Sequence, residues 1–393
     1  MDVAKLWGLD PAVAFLNHGS YGACPRAVLD VQRRLVEEME AEPVRFLSRE
    51  LEGRLDAARA SLAAFLGADA DDLAFVSNAT AGVNTVLRSL SFAAGDEILV
   101  TNHAYNACRN AVEAVAARAG ARAVVVAVPF PLDGSDRVVE AVLPRVTSRT
   151  RLALLDHVTS PTGLVFPIGR LVAELAARGV DTLVDGAHAP GMVPLDLRAV
   201  GAAYYTGNGH KWLCAPKGAA FLHVRRDRQA SIRPLSISHG ANSPRTDRSR
   251  FRLEFDWTGT SDPTPYLCLP EAIRYLGGLL PGGWPELMAR NRTTARAARE
   301  VLCAALGVPP PCPEGMLGSL ASMPLPDGPG PPPGRGHFYD PWPDALLDRY
   351  GIEVPVMTWP ASPKRLLRVS AQLYNTPADY ERLATALTAL RAG

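Results

Sequence analysis

A single lysine, Lys211, sits in the run Tyr204-Tyr205-Thr206-Gly207-Asn208-Gly209-His210-Lys211-Trp212, among glycines, aromatics and a histidine. A lysine ammonium ordinarily stays solvated on a flexible stem, but in a semi-apolar site its pKa falls and its amine can form a Schiff base. Such an amine needs supporting groups, and two upstream stretches have the residue types to supply them. Asp185 closes the run Leu183-Val184-Asp185-Gly186-Ala187-His188, where a strand end would present a carboxylate. Ser77-Asn78-Ala79-Thr80-Ala81-Gly82 follows a β-rich run and opens a helical one, so its amides and hydroxyls suit an anion.

A Schiff-base lysine requires a partner aldehyde, and enzymes use pyridoxal phosphate, whose ring is an electron sink for carbanions at an amino acid's Cα. Its ring nitrogen must stay protonated, which calls for a carboxylate such as Asp185. Its phosphate calls for the 77–82 helix start, with Asn208 and His210 as side-chain donors.

The elements that must position these residues follow from periodicity. Val28, Val31, Leu35 and Met39 recur at helical spacing up to Pro43, and Leu47, Leu51, Leu55, Leu62 and Phe65 do so up to Gly67. Short β-rich runs at 73–76, 98–101, 123–128, 152–156, 182–185 and 219–224 then alternate with helical stretches at 81–90, 109–118, 138–146 and 168–178. Alternation of this kind predicts right-handed crossovers and a mostly parallel central sheet with helices on both faces, an α/β fold. Ligands in such sheets bind beyond the carboxyl ends of the strands, where Ser77, His103, Asp156 and Asp185 fall. Beyond 224 the pattern changes to a polar loop, a helical region at 270–306, a Pro/Gly-rich loop or linker at 324–334, a β-rich run at 366–370 and a final helix from about 377. The layout predicts an N-terminal segment (1–20) reaching the active site, a large domain (21–260) and a smaller α+β domain (261–393).

Composition narrows the partners. The 393 residues are 47% hydrophobic and carry a net charge of +1 without blocks of like charge, so neither nucleic acid nor an anionic membrane surface is expected as a partner. No apolar stretch reaches bilayer-spanning length and the N-terminus has no leader pattern, which predicts a cytoplasmic protein with small-molecule partners. Six scattered cysteines show neither a metal-ligand spacing nor a disulfide framework, so no metal is expected.

The pair Asp185-Gly186-Ala187-His188 and Asn208-Gly209-His210-Lys211, at this separation, resembles the class V aminotransferase superfamily of fold-type I pyridoxal phosphate enzymes, collinearly over nearly the whole chain. The resemblance implies that Lys211 carries the cofactor, that Asp185 meets the pyridine nitrogen, and that His188 completes the cofactor-binding run. It places the Ala79 amide, Thr80, Asn208 and His210 on the phosphate, stacks His103 on the ring, and sets Ser160 near the phenolic oxygen. Arg368, in Arg368-Val369-Ser370-Ala371-Gln372, matches the substrate-carboxylate arginine, and its planar fork suits a carboxylate. Thr260 matches a residue that reaches the phosphate of the neighbouring subunit, which implies a homodimer with a shared active site.

Within the superfamily, 351–360 lacks the loop cysteine of cysteine desulfurases, which argues against that activity. The segments 16–22, 42–47, 102–105 and 159–163 look most like the isopenicillin N epimerase-like branch, which includes epimerases and carbon–sulfur lyases acting on cysteine conjugates. The resemblance therefore implies an epimerase or lyase of a bulky, cysteine-derived amino acid in specialised metabolism. A class V aminotransferase and a non-catalytic, cofactor-binding regulator are the alternatives. An epimerase needs an acid opposite Lys211, for which Tyr105 and His103 are candidates. Asn17, His18 and Tyr21 could recognise the distal part of the substrate or pack the loop.

Overall fold

The computed structural model describes residues 3–329 and 340–392. Its centre is a seven-stranded sheet in the order Leu73–Val76, Ala220–Val224, Tyr204–Asn208, Asp181–Asp185, Thr150–Asp156, Glu97–Thr101, Arg122–Val126. The five strands from Tyr204–Asn208 to Arg122–Val126 run parallel, and Ala220–Val224 is antiparallel to both its neighbours.

Successive side chains of a strand point to opposite faces, and both faces here are covered. Ala74, Ile98, Val100, Leu152, Leu154, Leu183 and Tyr204 join a core with Val83 and Val86 of the helix Ala79–Ser89 and Val112 of Asn106–Ala119. Their neighbours Leu73, Phe75, Leu99, Ala153, Leu155, Val184 and Tyr205 join the opposite core, with Leu55 and Leu62 of Leu51–Leu66 and Leu171 of Ile168–Ala176. This is the α/β architecture expected from the alternating pattern.

Two local details place the helix Ala79–Ser89. Asn78 caps it by accepting the Ala81 amide (2.8 Å). A Cβ on Gly82 would lie 2.1 Å from Thr206 Oγ1, so only glycine lets the helix press against Tyr204–Asn208 and bring its N-terminus beside Asn208.

The C-terminal part is a smaller α+β unit with a three-stranded antiparallel sheet, Val356–Thr358, Arg365–Ser370 and Leu320–Leu325, and the helices Gly283–Leu306 and Pro377–Ala392 pack on one another beside it. The N-terminal segment joins this unit, since Ala14–Phe15 pairs in parallel with Ile352–Glu353. It then turns towards the large sheet at Gly22 (φ 71°), where a Cβ would lie 2.0 Å from the His210 carbonyl oxygen. No helix among the described residues is long and apolar enough to cross a membrane.

Two readings of local structure are corrected. Tyr204–Asn208, absent from the expected β-rich runs, is a fully buried strand at the heart of the sheet. Pro324 and Leu325, read as the start of a linker, end the edge strand Leu320–Leu325, the position in a sheet where a missing N–H costs least. Of the rest of that Pro/Gly stretch, 326–329 carries no regular element and 330–334 lies outside the described residues.

Candidate active site

The carboxyl ends of five strands open onto one cavity of about 700 Å³. Ala79, Thr80, Tyr105, Ser160, Asp185, His188, Asn208, His210 and Lys211 all line it, joined from the N-terminal segment by Ser20 and Tyr21. Residues separated by well over a hundred positions therefore meet where an open α/β sheet binds ligands.

Lys211 follows the strand Tyr204–Asn208 by three residues, so the strand end fixes where its amine emerges. Its Nζ lies 3.2 Å from His188 Nε2. Burial, and then the positive charge of Arg368, bring its pKa down to about 7, against the smaller pull of Asp185 and Cys108. The lysine backbone is held in turn by the neutral ring of His18, whose Nε2–H donates to the Lys211 carbonyl (3.0 Å) while Nδ1 accepts from the Tyr374 hydroxyl (2.8 Å). Burial drives the His18 pKa to about 3, so the ring stays neutral.

Asp185 ends its strand with one carboxylate oxygen accepting the Ala187 amide (3.0 Å) and the other accepting the Cys108 thiol (3.2 Å). Asp156 stands in register beside it on the adjacent strand. Burial, and then the charge of Asp185, push the Asp156 pKa well above the carboxylate range, and its Oδ2 is buried without a hydrogen-bond partner. Burial and the neighbouring carboxylate thus disfavour negative charge on Asp156 in this floor.

At the helix start, Asn208 Oδ1 accepts the Ala79 amide (2.8 Å) and Asn78 accepts that of Ala81, which leaves the Thr80 amide without an acceptor among the described residues. The Ala79 amide is therefore not available to an anion, correcting its assignment as a phosphate donor. His210 donates from Nδ1 to the Ala219 carbonyl (3.2 Å), and burial lowers its pKa to about 4. Lys217, which the sequence reading passed over, also lines the cavity and donates to the Gly22 carbonyl (3.1 Å).

Arg368 borders the cavity through two of its lining residues. Its Nη1 donates to the Ser160 carbonyl (2.7 Å) and hydroxyl (3.2 Å), and its Nη2 to the Ser20 hydroxyl (3.0 Å). No carboxylate pairs with it among the described residues, and its Nε is buried without a partner. Burial brings even this guanidinium down to about 10. An uncompensated buried cation is costly, so the arrangement is poised for an anion.

Three expected site residues lie elsewhere. His103 is fully buried behind the cavity, with Nε2–H on the Val128 carbonyl (3.0 Å) and Nδ1 accepting from Thr162 (2.7 Å). With both nitrogens engaged and its ring packed against Phe166 and Trp359, it neither stacks on a ligand nor moves a substrate proton. It supports the turn that carries Ser160. Tyr105, 47% exposed, is the aromatic that faces the cavity instead. His18 and Asn17 are likewise turned inward. Asn17 donates to Glu353 (2.9 Å) and accepts from Ser20, so it acts through Ser20 and not on a ligand. Thr260 is exposed and lies outside this chain's cavity. Among the described residues no cluster could hold a metal ion.

Comparison with known proteins places this geometry. The model of the aminotransferase class-V family matches residues 15–303. The isopenicillin N epimerase of Amycolatopsis lactamdurans is 42% identical, covering 97% of this chain and 96% of that protein. A probable chloroplastic L-cysteine desulfhydrase of Arabidopsis thaliana is 30% identical, covering 97% and 83%. The fold is shared with the cystine C-S lyase C-DES, solved with its reaction product cysteine persulfide, at a TM-score of 0.77 and 22% identity over 96% and 97% of the two chains. The chain belongs to the aminotransferase class-V family, in its isopenicillin N epimerase-like branch.

Proposed function

We propose that this protein is a pyridoxal phosphate-dependent enzyme that breaks the Cα–H bond of a bulky, cysteine-derived amino acid and returns the proton on the other face, as an epimerase. The observation that carries the reading is a buried lysine amine lining one cavity and, bordering it, a buried guanidinium that lacks a counter-charge among the described residues. The residues present fit the cofactor. Lys211 would hold its aldehyde carbon and Asp185 its ring nitrogen. The free Thr80 amide, with Asn208 and His210, would hold its phosphate, and Ser160 and His188 would border its ring. When bound, that group supplies an electron sink for charge developing at Cα.

The chain's own residues do the rest. Arg368 takes the substrate carboxylate in place of the two hydroxyls now on its Nη atoms, Ser20 and Ser160. A bidentate contact there fixes which Cα bond points at Lys211. The Lys211 amine, whose pKa of about 7 leaves a substantial unprotonated fraction at neutral pH, receives the α-proton. Tyr105, whose pKa is raised by burial first, is protonated at neutral pH and gives its hydroxyl proton to Cα from the other side, the resulting tyrosinate regaining one from solvent. Tyr21, 73% exposed at the same cavity, meets the distal part of the substrate. We place the second copy of a homodimer against Thr260, which would complete the phosphate site of its neighbour.

Elimination of a thiol from Cβ is the second reading, supported by the likeness to the desulfhydrase. It uses the same first proton transfer and needs no acid on the other face. Incubation with cysteine thioethers in deuterated water separates the readings. Deuterium at Cα with inversion and no pyruvate supports the epimerase, and pyruvate released with thiol supports the lyase. Keto acid with pyridoxamine phosphate would make it an aminotransferase. No exchange with any amino acid would overturn the proposal.

A further inference from the structure

Trp212 follows the cofactor lysine directly, is fully buried, and has no part in the roles assigned above. Its indole Nε1–H lies 3.3 Å from His188 Nδ1. An indole nitrogen can only donate, so this bond has one direction, and Nδ1 of His188 must be the acceptor. An imidazole that accepts at Nδ1 is neutral and carries its proton at Nε2. That Nε2–H is 3.2 Å from Lys211 Nζ, and it meets a lone pair only if the amine is unprotonated. An ammonium there would set N–H against N–H.

We infer that Trp212 is a positioning residue that fixes the Nε2–H tautomer of His188 and thereby holds Lys211 as the free amine. The other groups acting on Lys211 are Arg368, Asp185 and Cys108, with Arg368 disfavouring the ammonium and the two acids favouring it. The relay from Trp212 tips this balance by hydrogen-bond polarity. His188 itself is kept neutral first of all by burial. On the proposed function, the consequence is that Lys211 can take the α-proton without first losing one. The Cα–H bond breaks with its electron pair left towards carbon, and the proton ends on Nζ.

The test uses the cofactor-free protein, so its outcome is separate from whether Lys211 carries the cofactor. In the wild type with ¹⁵N-labelled histidine, the His188 signals, assigned by their loss in His188→Gln, are expected to show protonated Nε2 and bare Nδ1. A protonated Nδ1 would overturn the inference without Trp212→Phe having to fold. In Trp212→Phe, acetic anhydride labelling of Lys211 followed by peptide mass spectrometry should titrate about one pH unit higher, which is about fivefold less labelling at pH 7. An unchanged midpoint in a folded variant would show that Trp212 only packs.

Discussion

Replacing Arg368 with methionine separates a structural arginine from one kept for a ligand. In the free protein its guanidinium is almost fully buried and holds three hydrogen bonds, all to Ser160 and Ser20, with no carboxylate among its described partners. Burying a cation in this way costs several kcal/mol, only partly offset by neutral acceptors. Methionine has similar reach and no charge, so the cofactor-free variant should unfold in urea within about 1 kcal/mol of the wild type, or later. Ligand binding should move the other way. Loss of a buried, hydrogen-bonded charge pair costs about 2–5 kcal/mol, which is roughly 30- to 5,000-fold in affinity. The assay is a titration of the cofactor absorption band with cysteine thioethers and with their methyl esters. The wild type should prefer the acids strongly, and Arg368→Met should bind acid and ester about equally. A variant destabilised by more than about 3 kcal/mol that still discriminates acid from ester would refute the assignment.

Two further outcomes follow from the site. The folded-state pKa of Lys211, about 7, lies below its ordinary value of 10.5, so between these values the unfolded chain holds a proton that the folded chain lacks. The stability of the cofactor-free protein should therefore rise with pH across that window, by an amount on the order of a few kcal/mol, and Lys211→Met should remove the rise in urea melts at pH 7 and 10. For the shared site, Thr260→Glu should weaken cofactor binding by about tenfold or more in equilibrium dialysis, although Thr260 lies outside its own chain's cavity. Unchanged affinity in a protein that sediments as a dimer would rule out the trans contact.

The sheet and its carboxyl-end cavity were legible because apolar runs and polar strand ends are written in short-range pattern. Asp185 could be placed on the cavity for that reason, whereas Thr80, Asn208 and Lys211 were brought to it by the cofactor's chemistry and the family resemblance. The errors concern where a side chain turns, which local pattern does not encode. His18 and His103 stand in the right stretches, but each spends both ring nitrogens on neighbours, Tyr374 and Lys211 for one and Thr162 and Val128 for the other. The Ala79 amide is claimed by Asn208, 129 positions away, which no reading of the helix start reveals. Tyr204–Asn208 escaped notice as a strand because its glycine and asparagine are turn formers by propensity, and tertiary burial between two strands overrides propensity. Ser20, Cys108 and Lys217 were missed as site residues because none closes a β-rich run, whereas Asp156 was expected at the strand ends because it closes one just as Asp185 does.

The central claim, that Lys211 holds the cofactor, is open to a direct measurement because the chain has four lysines, Lys5, Lys211, Lys217 and Lys364. Lys217 is the natural competitor, lining the same cavity with its Nζ on the Gly22 carbonyl. Borohydride reduction of the pyridoxal phosphate-loaded protein, followed by peptide mass mapping, should place the phosphopyridoxyl mass on Lys211 and leave Lys217 unmodified. The mass on Lys217, or an undiminished cofactor absorption band in Lys211→Ala, would contradict the account.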